Sequence, residues 1–388
     1  MIHAITLCTE SIDDKEGAVR ELKAQLDASL PLLRNSVGII ACHYEFVLSG
    51  MVKTVQEALP FDIVGTISSA QTVNNGAGAL LLTLMVLTSD DVQFKTVLTP
   101  SLKTESGRKI EESYKNALAT NGGEKPSLIF AFAPFMVENS GDEYVNVLTK
   151  ASGGVPCFGT LAVDDTSDFR ECYMMYRGEH YRDCLAMILV YGKVEPRFYL
   201  ASISHNKILD KSALITSSEG HLLKELNGRP VSEYFASMGL TKASETSYAM
   251  TSLPFMLDYN DGSPMVSKVF IGLDEHKNAI CAGAMPEGST LYIGVFDKED
   301  VLLTTGQAVK DAFAEREKPS LLLAYSCISR SMSLGSDIFA EADLIKKENA
   351  GNIPFLIAYS GGEICPTQIR SESAVNRFHN NTFILCAL

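Results

Sequence analysis

Two short segments in the last quarter of the chain carry the side chains best suited to chemistry. Ser360-Gly361-Gly362-Glu363 follows the apolar run Phe355–Tyr359, and Cys327-Ile328-Ser329-Arg330 follows the apolar run Leu321–Tyr325. Paired glycines at a strand end let backbone N–H groups come close to a ligand. If the two apolar runs are parallel neighbours, Arg330 and Glu363 share the sheet edge at which open α/β folds bind ligands. Arginine grips a carboxylate with two hydrogen bonds and glutamate takes an ammonium, so the pair suits a zwitterionic amino acid. Asn380 and Thr382 lie on the closing apolar segment Phe378–Leu388, where strand alternation puts both on one face. The candidate ligand-binding set is therefore Cys327, Arg330, Ser360, Gly361, Gly362, Glu363, Asn380 and Thr382. The plainer reading keeps Gly361-Gly362 as a tight turn and pairs Arg330 with Glu363.

The same residues suggest one catalytic alternative. Cys327 lies three residues before Arg330, whose charge favours a thiolate, and His379 is the available base if the fold brings it near. Against this stands Cys327 as an ordinary buried thiol. No H-E-x-x-H, G-x-S-x-G or P-loop motif occurs. Gly76-Ala77-Gly78 lacks the third glycine of a dinucleotide fingerprint, and Ser204-His205-Asn206-Lys207 falls in an expected linker. The seven histidines lack metal-ligand spacing, and Cys42-His43, read as strand neighbours, would point to opposite faces. No catalytic residue, metal or cofactor is assigned.

These segments need elements to hold them, and the elements repeat. Helix, strand, helix, strand and an apolar strand pair run from Asp14 to Leu98, and the order recurs from Ser106 to Tyr191. In the first copy the pair is Ala79–Leu87 with Val92–Leu98, turned at Ser89-Asp90-Asp91. In the second it is Glu171–Arg177 with Asp183–Tyr191, turned at Gly178-Glu179. Gly65-Thr66 and Gly159-Thr160 occupy matching places. Lys125-Pro126-Ser127-Leu128 returns as Lys318-Pro319-Ser320-Leu321, and Val155-Pro156 as Ile353-Pro354, which marks a third copy. The expected fold is α/β, a layered sandwich of mixed sheets and helices built from α-β-α-β-β-β modules. A boundary is expected near residues 203–210, followed by a hairpin around Ser218-Glu219-Gly220.

Composition limits the function. The 388 residues are 46% hydrophobic and 21% charged, the balance of a folded globular chain. A net charge of −14 argues against general nucleic-acid binding and against an anionic membrane surface. Nine scattered cysteines without a C-x-x-C pair read as reduced, buried thiols. With no signal-peptide pattern at the start, the expected location is the cytoplasm.

A family resemblance rests on specific segments. Leu321–Arg330, Leu334-Gly335, Glu341, Pro354–Ile364 and His379-Asn380-Asn381-Thr382 together resemble the C-terminal part of FIST domains. Leu226-Asn227-Gly228-Arg229-Pro230 followed by Tyr234 looks like the start of that domain. Gly159 with Asp164-Asp165 is similar to the family's N-terminal part. The first repeat departs from the pattern, since Gly65–Gln71 lacks a Gly-Glu. The resemblance implies an N-terminal domain over 1–205, itself duplicated at about 1–100 and 101–205, and a C-terminal domain over 206–388. It implies a sensory module that binds a small ligand, with an amino acid as one candidate, and that signals to a protein partner. No kinase, cyclase or methyl-accepting pattern is read in the chain, so the expectation is a stand-alone sensor of unspecified oligomeric state.

Overall fold

The structure is a computed structural model that describes residues 1–135, 140–166, 171–239, 254–295, 297–315, 317–350, 352–370 and 373–388. Three copies of one module account for most of it. The first runs β1 (His3–Thr9), α1 (Lys15–Asp27), β2 (Asn35–Cys42), α2 (Tyr44–Leu48), α3 (Met51–Ala58), β3 (Asp62–Ile67), the hairpin β4 (Gln71–Val73) and β5 (Gly76–Gly78), then β6 (Leu82–Ser89). The second runs β7 (Gln93–Leu98), α4 (Ser106–Ala119), β8 (Leu128–Pro134), α5 (Gly141–Ser152), β9 (Cys157–Ala162), the hairpin β10 (Met174–Tyr176) and β11 (Glu179–Tyr181), then β12 (Ala186–Tyr191).

The third module opens with β13 (Arg197–Ala201) and is then interrupted. The interruption is a separate antiparallel sheet of β14 (Ile208–Glu219), β15 (Leu222–Leu226), β16 (Arg229–Pro230), β17 (Phe255–Asp258), β18 (Val266–Lys268), β19 (Phe270–Leu273), β20 (Ala279–Cys281) and β21 (Thr290–Gly294), with α6 (Val231–Ser237) packed on it. The module resumes with α7 (Lys298–Ala314), β22 (Leu322–Cys327), α8 (Ile328–Leu334), α9 (Ala340–Glu348), β23 (Phe355–Ser360), the hairpin β24 (Glu363–Arg370) and β25 (Ser373–His379), and β26 (Phe383–Ala387).

Every module builds the same mixed sheet. In strand order these are β1-β6-β2-β3, β7-β12-β8-β9 and β13-β26-β22-β23, each with one parallel pair at its end. The hairpins are exchanged. β10–β11 completes the first module's sheet, β24–β25 the second's and β4–β5 the third's. Segments on both sides of residues 205/206 therefore share sheets.

The central strands are buried on both faces, which explains their continuous apolar runs. Inward-facing Ile39, Val64, Phe130, Phe158, Leu323, Tyr325 and Leu356 come from all three sheets and form one shared core. The outward residues pack under each module's helices: Ile40 under α1 and α3, Ala131 under α4 and α5, Leu322 under α7 and α9. The repeated Gly-Thr has a steric cause. A Cβ at Gly65 would overlap the Ile40 carbonyl of the parallel neighbour, and one at Gly159 would overlap that of Ala131.

Helix α1 is capped by Asp14, which accepts from the Gly17 N–H at 2.8 Å. Three local expectations change. β6 and β7 are not a hairpin, because past Ser89 the chain crosses into the second module's sheet. The second hairpin is the short β10–β11 around Arg177-Gly178, and β12 again crosses to its own sheet. Residues 378–388 are not one strand. Asn380-Asn381-Thr382 is a turn between β25 and β26, with Asn381 at φ 53°, so alternation does not apply there.

Each parallel pair begins at a bracket made by one side-chain amide. Asn376 on β25 accepts from the Cys157 N–H at 2.9 Å and donates to the Val155 carbonyl at 2.9 Å, spanning Pro156. Asn74, in the β4–β5 turn, does the same at Phe355 (2.8 Å) and Ile353 (3.0 Å), spanning Pro354. In the first module Gln56 of α3 serves Ile63 (2.8 Å) and Phe61 (2.9 Å). An amide offers both a donor and an acceptor, as a proline-containing strand start requires. Asn376 is buried, so Asn376→Ala strands a buried N–H and a buried C=O. We expect a loss of about 2–3 kcal/mol in urea unfolding, and a smaller loss for half-buried Asn74→Ala. Equal, negligible losses would contradict the bracket.

Candidate functional site

β22 and β23 are parallel neighbours with Cys327 opposite Ser360, so both candidate segments leave the sheet at one edge. Beyond that edge the chain meets the other modules. Gly361 N–H donates to the Leu161 carbonyl at 2.9 Å, and the Gly362 carbonyl accepts from Leu161 N–H and Thr160 Oγ1, both at 3.0 Å. A Cβ at Gly362, where φ is +140°, would overlap the Phe378 ring. The glycines thus fit module against module. Ser68 of the first module ties the same edge by donating to the Tyr359 carbonyl at 2.8 Å.

Arg330 pairs with Glu341, not with Glu363. It sits fully buried on α8 with every donor nitrogen engaged. Nε meets Glu341 Oε1 at 3.0 Å, and Nη1 meets the carbonyls of Ser202 (3.2 Å) and Asn381 (3.4 Å). Nη2 meets the Val301 carbonyl (3.0 Å) and the hydroxyls of Thr304 (3.3 Å) and Thr305 (2.7 Å). Glu341 also accepts from Thr305 and Ser326 hydroxyls at 2.6 Å each. The structure, not the sequence, identifies this partner. Glu341 shares the buried face of α9 with Ile345, where a charge must be paired.

Glu363 has a different environment. Its Oε1 accepts from Ser360 Oγ at 2.9 Å; its Oε2 makes no hydrogen bond of full geometry although the residue is fully buried, and only the Cys327 thiol and the Thr382 N–H approach the carboxyl as weaker donors. Burial pushes its carboxyl well above the usual range. Ser360, Arg330, the Cys327 thiol and the Thr382 N–H oppose this only in part, so burial favours the protonated form. Nearby, the buried Cys327 thiol is raised to about 12, by burial first and by Glu363 second. That is the opposite of what a nucleophile needs. His379 does not supply a base to it. Its Nε2 faces the Cys365 carbonyl at 3.1 Å and its Nδ1 has no partner. Burial lowers the His379 pKa to about 3, with Lys268 and Arg377 adding to the effect.

Asn380 and Thr382 are engaged as well. Asn380 N–H donates to Ser267 and its side chain accepts from Val269 at 3.4 Å, while Thr382 Oγ1 donates to the Asn380 carbonyl at 2.7 Å. This turn is where the inserted sheet docks. Beside it Lys268, fully buried, reaches Asp142 of α5 and the Phe378 carbonyl at 2.8 Å. Sequence reading missed that pair, which sits in a run of otherwise ordinary strand residues. It also missed His43, which lies past the strand as the cap of α2 and bonds Asp165 of the second module at 3.2 Å.

Among the described residues no cluster of three or more metal-ligating side chains occurs, and no helix is long and apolar enough to cross a membrane.

Two stability outcomes follow. Arg330→Ala leaves Glu341 buried without its charge partner and should cost about 3–5 kcal/mol in chemical unfolding. Restoration of most of that loss in Arg330→Met with Glu341→Leu would locate the cost in the unpaired charge. His379 is neutral when folded and protonates near pH 6.5 when unfolded. Its contribution is present above pH 6.5 and is lost as pH falls toward 3. The wild type should therefore lose up to about 1.4 kcal/mol per pH unit below 6.5 relative to His379→Gln. Parallel pH–stability curves for the two proteins would refute this.

Comparison with known proteins gives a family match. A model described as the FIST N domain matches residues 36–229, and one described as the FIST C domain matches residues 231–366. No curated protein sequence matches. Among solved structures, cyanuric acid hydrolase from A. caulinodans is similar at 10% identity over 100% of this chain and 99% of that one, with a TM-score of 0.37. T. maritima PurL complexed with FGAR follows at 8% identity over 99% and 72%, with a TM-score of 0.20. Likenesses this low support neither a shared fold nor a shared activity.

Proposed function

Because the chain belongs to the FIST family, whose domains are sensory, ligand-binding modules of signal transduction, we propose that it senses a small polar ligand at the strand-end junction of its third module. The reading extends to an amino acid as ligand, to a stand-alone role in the cytoplasm, and to a protein partner that receives the signal. Nine free cysteines, eight of them buried, fit a reducing compartment.

The observation that carries the reading is Glu363. A buried carboxyl with one oxygen lacking a hydrogen bond of full geometry is costly, and such groups concentrate at functional sites. An ammonium brought to Oε2 would favour the carboxylate, so binding would release the Glu363 proton. With Arg330 committed to Glu341, the ligand's anionic end would rely on Ser360, Asn380 or backbone donors. Entry to a fully buried acid requires the turns at 361–362 and 380–382 to move. The second of these turns carries the inserted sheet, so occupancy would reach an element that a partner can read.

The experiment is a thermal-shift screen against the amino acids and small polar metabolites. A ligand at a hundred times its Kd stabilises by about 2.7 kcal/mol. Affinity should rise with pH until Glu363 ionises unaided, and Glu363→Gln should weaken binding about tenfold or more. Absence of any stabilising ligand would sink the proposal. An equal shift in Glu363→Gln would move the site elsewhere.

A further inference from the structure

Three seams join the modules, and each carries a cation, on a helix beside the exchanged hairpin in two of them and on the hairpin itself in the other. In the seam of the first and second modules, Lys53 of α3 meets Glu179 of the docked hairpin at 3.0 Å. In that of the second and third, Arg377 of β25 holds Asp261 from the inserted sheet. In that of the third and first, Lys346 stands in the last turn of α9. Its ion pair there is with Asp343 of its own helix, at 4.0 Å. Two seams thus hold a cation against a carboxylate from another segment, and the third does not.

Beside Lys346 lies a cavity of about 480 Å³, within the size range of small-ligand sites. It opens between β1, the β4–β5 turn and the loop leading into β23. Although the chain carries a net charge of −14, no carboxylate is among the residues lining it. Thr6, Ser29, Asn74, Asn75 and Asn352 line it with hydroxyls and amides, of which the Thr6 hydroxyl donates to Asn74 at 3.2 Å and that of Ser29 to the Gln25 carbonyl at 2.7 Å. Asn74 is spent on the bracket at Phe355, but the side chains of Asn75 and Asn352 hydrogen-bond to no other described residue. Lys346 and Lys347 offset the negative end of α9, so the helix does not repel an anion there.

We infer that this seam cavity binds a small hydroxycarboxylate, whose carboxylate takes at Lys346 the place that Glu179 takes at Lys53. The Asn75 and Asn352 amides supply donors and acceptors for the carboxylate and its neighbouring hydroxyl. The site is separate from Glu363 and does not depend on the sensor reading.

Isothermal titration of the full chain with L-lactate, L-malate and inorganic phosphate tests the inference. A carboxylate should bind to the wild type and to Glu363→Gln alike. Lys346→Gln, at a half-exposed position, should fold normally and bind roughly tenfold more weakly. Bound carboxylate should protect Lys346 from amine acetylation while Lys347 stays reactive. The inference is overturned by any of three results: no carboxylate heat, unchanged affinity in Lys346→Gln, or binding of phosphate alone. Loss of the carboxylate in Glu363→Gln would also overturn it, by assigning the ligand to the other site.

Discussion

An unpaired strand edge at the end of a buried parallel pair is the constraint on which this structure depends. β3, β9 and β23 each end the four strands of their own module, and without the exchanged hairpin each would leave a row of backbone donors and acceptors inside the protein. A module's own hairpin pairs with the sheet of another module. The neighbour's hairpin covers the edge instead, and three such loans close into a ring. The common core then follows, since the three inner faces have no other surface to pack against. Folding one module alone would leave both an open edge and an unpaired hairpin, which disfavours a module on its own.

The same constraint separates what the sequence discloses from what it hides. Repeats were legible because sterics and proline chemistry write themselves into residue types. Gly65 and Gly159 must lack a Cβ beside a neighbouring carbonyl, and Pro156 and Pro354 recur where an amide bracket replaces a missing N–H. The exchange of hairpins was not legible. Turn residues such as Ser89-Asp90-Asp91 and Gly178 encode a reversal of direction, but not which sheet receives the strand that follows. A local rule therefore made hairpins of β6–β7 and of the segments around β12, where the chain was changing modules.

The candidate site was legible in a similar, partial way. Reading two parallel strands with matched ends correctly brought Cys327, Ser360 and Glu363 to one edge. It did not find the partner of Arg330. Pairing a buried guanidinium needs a three-dimensional search, and Glu341, Thr305 and Ser202 lie on separate segments of the chain. The side chain that looked most like a ligand grip is thereby fully satisfied, and Glu363 is satisfied only in part.

That inversion bears on the response to a ligand proposed for this junction. A fully hydrogen-bonded cation such as Arg330 has one low-energy arrangement, because any displacement strands several donors at once. It acts as a fixed floor beneath the strand ends. Glu363 beside it is favoured as the neutral acid by burial, and a cation supplied from outside would favour the carboxylate. A group with two states set on a rigid base, and joined through the 380–382 turn to a separately folded sheet, has the physical parts of a switch. The rigidity of Arg330–Glu341 and the incompleteness of Glu363 are thus complementary. The first prevents the modules from absorbing a local change, and the second gives the change somewhere to begin.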